Sequence, residues 1–306
     1  MYEIPDELKR LYRHWDKHTT FQKENTDTSG LNKELLREIG DFASERMHIW
    51  HKRCQNETPP YTDDPILQNY RFCNIYRELD RQTIEIHTLL KPLRDTFDLW
   101  LLNLFFCRFV CNPATIQETG LLSFDKNNNR RVYERLLNKP RPKYGSAYVF
   151  PISVIQKSDH PTRETFFCFY LPSVMKDIAK EIQSFEDLPV AEGVARVLPV
   201  LGFPFTFHTT EVLIDAAYQY PDLIDLFAKF PIGPGAKPTM QALSKEEPEQ
   251  ACLTLTQYEI PNFPYLTYNG NPVYLSAENW EGIGCEFRKY TNLRKGLGRK
   301  RKYTIK

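Results

Sequence analysis

Between Tyr61 and Arg81 the chain reads YTDDPILQNYRFCNIYRELDR, three arginines and four carboxylates set among apolar and aromatic residues. Asp64-Pro65 suits the N-cap and first positions of a helix, so the spacing predicts a helix starting at Pro65. On that helix Arg71, Asn74, Arg77, Glu78 and Arg81 recur at three- and four-residue steps and share or adjoin one face. Leu67, Phe72, Ile75 and Leu79 fill much of the remainder. Two readings stay open. The charges pair within the helix, as Arg77 would with Asp80, or the guanidinium forks face an anion such as phosphate.

Three further blocks carry chemical groups. The run LPVLGFPFTFHTTEVLID, residues 198–215, has the form helix, tight turn, helix. Backbone N–H groups at such a turn, here at Gly202, can bind a DNA phosphate. Pro204, which lacks an N–H, stands where helix-hairpin-helix turns usually have a second glycine, and a plain αα-hairpin reads equally well. The loop FPIGPGAKP, residues 230–238, is either a structural turn or a backbone nest for an anion beneath Lys237. In CEFRKY, residues 285–290, Glu286 and Lys289 can pair at helical spacing. Among acids near the hairpin, Asp215 and the pair Asp222/Asp225 lie where a catalytic carboxylate would follow it.

The elements that must position these groups are mainly helical. Periodicity predicts helices over residues 31–54, 65–90 (in one or two pieces), 93–111, 113–119, 132–137, 172–185, 190–198, 207–218, 221–229 and 277–294. Residues 125–131 read as a turn and 244–276 as irregular. The aromatic and β-branched runs 144–151 and 165–170 read as extended, forming a small β excursion around a loop at 151–163. One helical domain over 31–290, with a hairpin at 190–218, follows a partly ordered segment 1–30 and precedes a basic tail 291–306.

Composition narrows the classes. A chain of 306 residues with 41% hydrophobic residues can bury a substantial core. No apolar run approaches the roughly 20 residues that span a bilayer, and no secretory leader pattern opens the chain, so an intracellular soluble protein is expected, nuclear in a cell with a nucleus. The seven cysteines show no CxxC pair and read as buried free thiols; no HExxH or zinc ligand set occurs. From Arg288 to Lys306 there are nine basic residues and no acid, while the rest of the chain carries a net charge of −8. Such a tail suggests a polyanion partner; a solubilising tail or an import signal are the plainer uses.

Taken in order, PPYTDDPILQNYRFCNIYRELDRQT, FFCRFVCNPATI, YGSAYVFPI, LPVLGFPFTFHTTEVLIDA, FPIGPGA and CEFRKYTNLRKGLGRKRKY resemble the α-glutamyl/putrescinyl thymine pyrophosphorylase family. That family includes the helical domain of 5-hydroxymethyluracil DNA kinases and the amino acid:DNA transferases of bacteriophages. The resemblance covers about residues 40–303 and implies a DNA-glycosylase-like helix-hairpin-helix fold reused for thymine hypermodification. Kinase members carry an added P-loop domain; G-x-x-x-x-G-K-[ST] is absent here, so the resemblance implies a transferase-type member. In that reaction an amino acid or polyamine amine displaces pyrophosphate from 5-pyrophosphomethyluracil in double-stranded DNA.

On this reading Arg71, Arg77, Arg81 and Lys237 hold the pyrophosphate, and Asn74 bonds a base edge or phosphate. Asp80, Glu286 or Asp215 takes the amine proton. Gly202, Arg288, Lys289 and the tail residues Arg299, Lys300 and Arg301 hold the DNA backbone. No cofactor is implied, and a divalent metal for pyrophosphate release stays open. Two alternatives accompany it: glycosylase-like removal of a modified pyrimidine, and a non-catalytic DNA-binding partner of a separate kinase.

Overall fold

The computed structural model describes residues 6–18, 27–145 and 148–298. Its backbone forms two compact units, Met1–Asp80 with Leu226–Lys306, and Arg81–Asp225. In chain order the helices are α1 (Lys9–His18), α2 (Lys33–Cys54), α3 (Pro65–Asn69), α4 (Arg81–Leu90), α5 (Phe97–Val110), α6 (Pro113–Thr119), α7 (Lys126–Asn138), α8 (Arg163–Thr165), α9 (Leu171–Gln183), α10 (Val190–Leu201), α11 (Thr206–Gln219), α12 (Lys237–Leu243), α13 (Pro248–Leu255) and α14 (Ala277–Arg294). The architecture is mainly helical. Its strands are two-residue pieces: β1 (Leu188–Pro189) pairs in parallel with β2 (Ile224–Asp225), and β3 (Thr267–Tyr268) antiparallel with β4 (Asn271–Pro272).

In the first unit, side chains set the helix ends. Asn32 caps α2 by accepting from the Leu35 N–H at 3.2 Å, and His51, Lys52 and Arg53 complement the dipole in its last turn. Leu36, Ile39, Phe42, Ala43 and Met47 bury one stripe of this helix. Asp64 caps α3 as its sequence predicts, accepting from Ile66 and Leu67. Ser276 and Asn279 form a reciprocal capping box at the start of α14. Within the N-terminal segment, α1 buries Leu11, Tyr12 and Trp15.

In the second unit, α5 is apolar nearly all round and sits in the core, with Leu101, Leu104, Phe105 and Phe106 fully buried. α10 and α11 are joined by residues 202–205 and turn the chain by 118°. Gly202 ends α10 in the left-handed region at φ 72°, its N–H donating to Leu198 at 2.9 Å. No single helix among the described residues is long and apolar enough to cross a membrane.

Four sequence expectations are corrected. Of the stretch 65–90, expected as helix in one or two pieces, α3 ends at Asn69 and 70–76 are loop, with a 3-10 turn at Arg77–Leu79 before α4. Residues 125–131 are not a turn, because Asp125 caps α7 by accepting from Asn127 and Asn128. The run 165–170 is helical, continuing from α8 through a π turn into α9. Phe166 and Phe167 are buried against Phe109, Phe150 and Phe205, and a short apolar run reads the same for a buried strand or helix. The expected helix 221–229 is absent because the carbonyls of Asp222 and Leu223 accept from Asp187 and Leu188 at 3.0 and 3.1 Å.

A Cβ at Gly202 would lie 2.7 Å from the Tyr170 hydroxyl, which itself donates to Leu201 at 2.8 Å. Gly202→Ala therefore combines left-handed strain with a clash and should lower the unfolding free energy by about 1–2 kcal/mol or more. Chemical denaturation checks this, and Tyr170→Phe in the same background should restore part of the loss.

Candidate active site

Residues 70–76 leave helical geometry ahead of a single 3-10 turn at Arg77–Leu79, and charged side chains satisfy much of their backbone. Buried Arg46 of α2 donates to the carbonyls of Phe72 (3.3 Å) and Cys73 (3.2 Å). Glu286 of α14 accepts from the Cys73 N–H at 3.1 Å, and Lys289 donates to the Arg71 carbonyl. Glu286 and Lys289 also pair with each other at 3.1 Å, the helical spacing having predicted it. Inside the loop, Asp80 accepts from the Asn74 N–H at 2.9 Å, and the Asn74 amide donates to Leu79 at 2.8 Å. Tyr76 is buried and donates to the Val273 carbonyl at 2.5 Å.

This clamp sets Arg77 and Glu78 against the first turn of α14. Arg77, half-buried, pairs with buried Glu278 at 3.4 Å. Glu78 is fully buried and accepts from the Tyr12 hydroxyl at 2.8 Å and from the Asn279 amide at 3.3 Å. Burial first, then the negative charge of Glu278, pushes the Glu78 carboxyl up to about 8. One turn further along α14, Glu281 accepts from the Gly233 N–H at 3.2 Å. Burial raises its carboxyl to about 7, while the Gly233 N–H and the Arg77 charge act against the rise. The Gly233 N–H of the GPGA turn thus donates to the protein's own Glu281. Three blocks widely separated in the chain, 61–81, 230–237 and 285–290, meet here.

The expected site residues fall as follows. Arg77, Asn74, Asp80, Glu286 and Lys289 all belong to this constellation or its clamp. Arg71 contributes its carbonyl. Arg288 donates to the Pro234 carbonyl at 2.7 Å, and Lys237 is exposed at the start of α12. Arg71, Arg77 and Arg81 share no helix: Arg71 is in the loop, Arg77 in a 3-10 turn, and Arg81 opens α4 in the other unit, exposed and paired with Glu85 at 2.7 Å. Arg299, Lys300 and Arg301 lie outside the described residues. Glu78, Glu278, Glu281 and Arg46 went unassigned in the sequence, where nothing marks them as buried. Among the described residues no three His, Cys, Asp or Glu side chains gather as metal ligands.

The second unit holds a separate buried charge pair. Asp215 is fully buried, and Arg108 grips it through Nε and through Nη2 at 2.6 Å. His87 Nε2 lies 3.0 Å from the same carboxylate, and Arg108 also donates to Thr83 at 3.2 Å. Burial opposes the charge, yet the Arg108 guanidinium and the His87 and Arg108 hydrogen bonds hold the carboxyl well below its usual range. A carboxylate so paired is a poor proton acceptor. The Gly202 N–H in this unit is engaged with Leu198, as above.

Two outcomes follow. Glu78 has a folded pKa above its ordinary 4.5, so its contribution is complete below about 4.5 and is lost as pH rises through about 8. Wild-type melting temperature should therefore fall between pH 5 and pH 8, and Glu78→Gln should flatten that slope. Arg108→Met leaves Asp215 charged, buried and without its cation, and should cost about 3–5 kcal/mol in denaturant unfolding.

The profile of the family described as "5-hmdU DNA kinase, helical domain" matches residues 33–297. A 5-hmdU DNA kinase of Bacillus phage SP10 is 37% identical over 125 residues, which are 38% of this chain and 20% of that protein. The chain thus spans about a fifth of that relative's length. No solved structure matches the chain. With the match running through every element from α2 to α14, the chain belongs to the family of the 5-hmdU DNA kinase helical domain.

Proposed function

We propose that this protein is a transferase of thymine hypermodification, in which an amine displaces pyrophosphate from 5-pyrophosphomethyluracil in DNA. The observation that carries the reading is the Arg77–Glu278–Glu281 constellation, a guanidinium beside a carboxyl raised to about 7. The reaction needs those two groups. The amine nitrogen attacks the 5-methylene carbon, and the carbon–oxygen bond breaks with its electron pair leaving on pyrophosphate. The ammonium proton passes to a base. Arg77 suits the departing phosphate oxygens through its planar fork. Glu281, titrating near neutrality, suits the proton transfer better than Asp80 or Glu286, which are engaged in holding the loop.

DNA contact is assigned to a groove of about 660 Å³ bordered by α2, α12 and the C-terminal half of α14. Arg288, Arg294 and Lys295 line it against a single acid, Glu38. Arg299, Lys300 and Arg301 follow soon after in the sequence, and counterion release from DNA favours clustered bases. For the helix-hairpin-helix reading the support is shape, a four-residue turn and a 118° bend between α10 and α11.

Nucleoside mass spectrometry on DNA containing 5-pyrophosphomethyluracil, with mixed amino acids and polyamines, tests the proposal. A product mass gain with pyrophosphate release is expected; a freed base would instead mark a glycosylase, and unchanged DNA a binding partner. Glu281→Gln keeps the Gly233 hydrogen bond and should lower turnover by about 10²–10⁴-fold at an unchanged melting temperature. Arg77→Lys keeps a cation opposite Glu278 without the fork and should also slow turnover.

A further inference from the structure

Aromatic side chains from three elements of the first unit enclose a cavity of about 180 Å³. Tyr12 and Trp15 come from α1, Phe227 from the segment after residue 225, and Tyr268 from β3. The rings stand as walls rather than as a stack. Tyr12 and Trp15 are inclined at 45°, Tyr12 and Tyr268 at 51°, and Trp15 meets Phe227 edge-on at 82°. Exposed Asp16 lines the cavity too, with Asn271, Pro272, Val273 and Tyr274. Its two oxygens accept from the amides of Asn269 (3.2 Å) and Asn271 (2.9 Å), which lower its pKa and fix the carboxylate in place.

Ring faces are electronegative, the carboxylate is anionic, and among the described residues no Lys, Arg or His lines the cavity. Its ligand should therefore be a cation. At the roughly 30 Å³ a water takes up, the space holds about six non-hydrogen atoms. The Tyr12 hydroxyl, at the back of one wall, donates to Glu78 in the buried carboxylate cluster.

We propose that this cavity binds the ammonium group of a small aliphatic amine, the donor in the transfer reaction proposed above, and the assignment rests on that reading. An amine without a carboxylate fits best, because a donor's own carboxylate would lie against Asp16.

Calorimetric titration of the full chain with 1,4-diaminobutane, with its neutral counterpart 1,4-butanediol, and with glycine tests the assignment. Saturable binding of the diamine is expected, with glycine weaker and the diol undetected. Asp16→Asn and Tyr268→Leu alter exposed or half-buried positions and should each weaken the diamine about tenfold with melting temperature unchanged. Absence of diamine binding, equal binding of the diol, or unchanged affinity in both variants overturns the proposal. The two readings fail separately. Diamine binding with these dependences but no DNA product removes only the transferase. DNA product formed with an unchanged amine KM in both variants removes only the cavity.

Discussion

The backbone of residues 70–80, irregular up to a single 3-10 turn at Arg77–Leu79, is the constraint on which the placement of the first unit's buried charges depends. A segment that leaves helical geometry must find partners for its N–H and C=O groups, since burying them unpaired is costly. Here the partners are side chains: Arg46 from α2, Glu286 and Lys289 from α14, and Asn74 with Asp80 inside the loop. Each bond is charge-assisted or closes a local turn, so the loop is held at several points along a few residues. Its fixed path delivers Arg77 and Glu78 to α14 with the arginine half-buried and the carboxylate sealed.

Two buried carboxylates in this chain show how differently the same group can be used. Asp215 meets a bidentate guanidinium and remains an anion, which makes the Arg108–Asp215 pair a fixed charge pair within its unit. Glu78 meets a tyrosine hydroxyl and an amide, with a second carboxylate nearby and, among the described residues, no paired cation. Neutral donors cannot offset desolvation as a guanidinium does, so Glu78 keeps its proton to higher pH. Glu281 lies between these extremes, with a backbone N–H and the Arg77 charge partly opposing its burial. That intermediate balance is what places its titration near neutrality, where a proton acceptor is most effective.

Much of the helical framework was legible because it is written in local signals. Asp64-Pro65, the stripe of α2 and the span of α14 follow from caps and periodicity, and the matching boundaries reflect that. The loop 70–80 was not legible, because Arg71, Asn74 and Arg77 recur at helical steps whether or not the backbone is helical. What decides its path is Arg46 and Glu286, 27 residues before and 213 after Cys73. The same distance effect hid Glu78 and Glu281, whose significance comes from burial against partners far along the chain. Tyr12 and Trp15 were read as part of a loosely ordered start, although their positions i and i+3 on α1 carry the one apolar stripe that packs there. Arg77 and the pairing of Glu286 with Lys289 were singled out from spacing, and the structure brings them into one unit.

The polarity of α14 ties these observations together. Its first turn carries Glu278, where the helix dipole and the capping box favour negative charge, and Glu281 follows one turn on. Its later turns carry Arg288, Lys289 and Arg294, where the dipole favours positive charge. One helix therefore carries its acids near its start and its bases toward its end, with Glu278 in the first turn and Arg294 in the last, as the dipole favours. Asn279 couples the first of these to the fold, because the amide that donates to Glu78 belongs to the residue that closes the capping box. Loss of that cap would loosen the helix start and release the carboxylate partner together, so the geometry of the acids and the stability of α14 are one property of the chain.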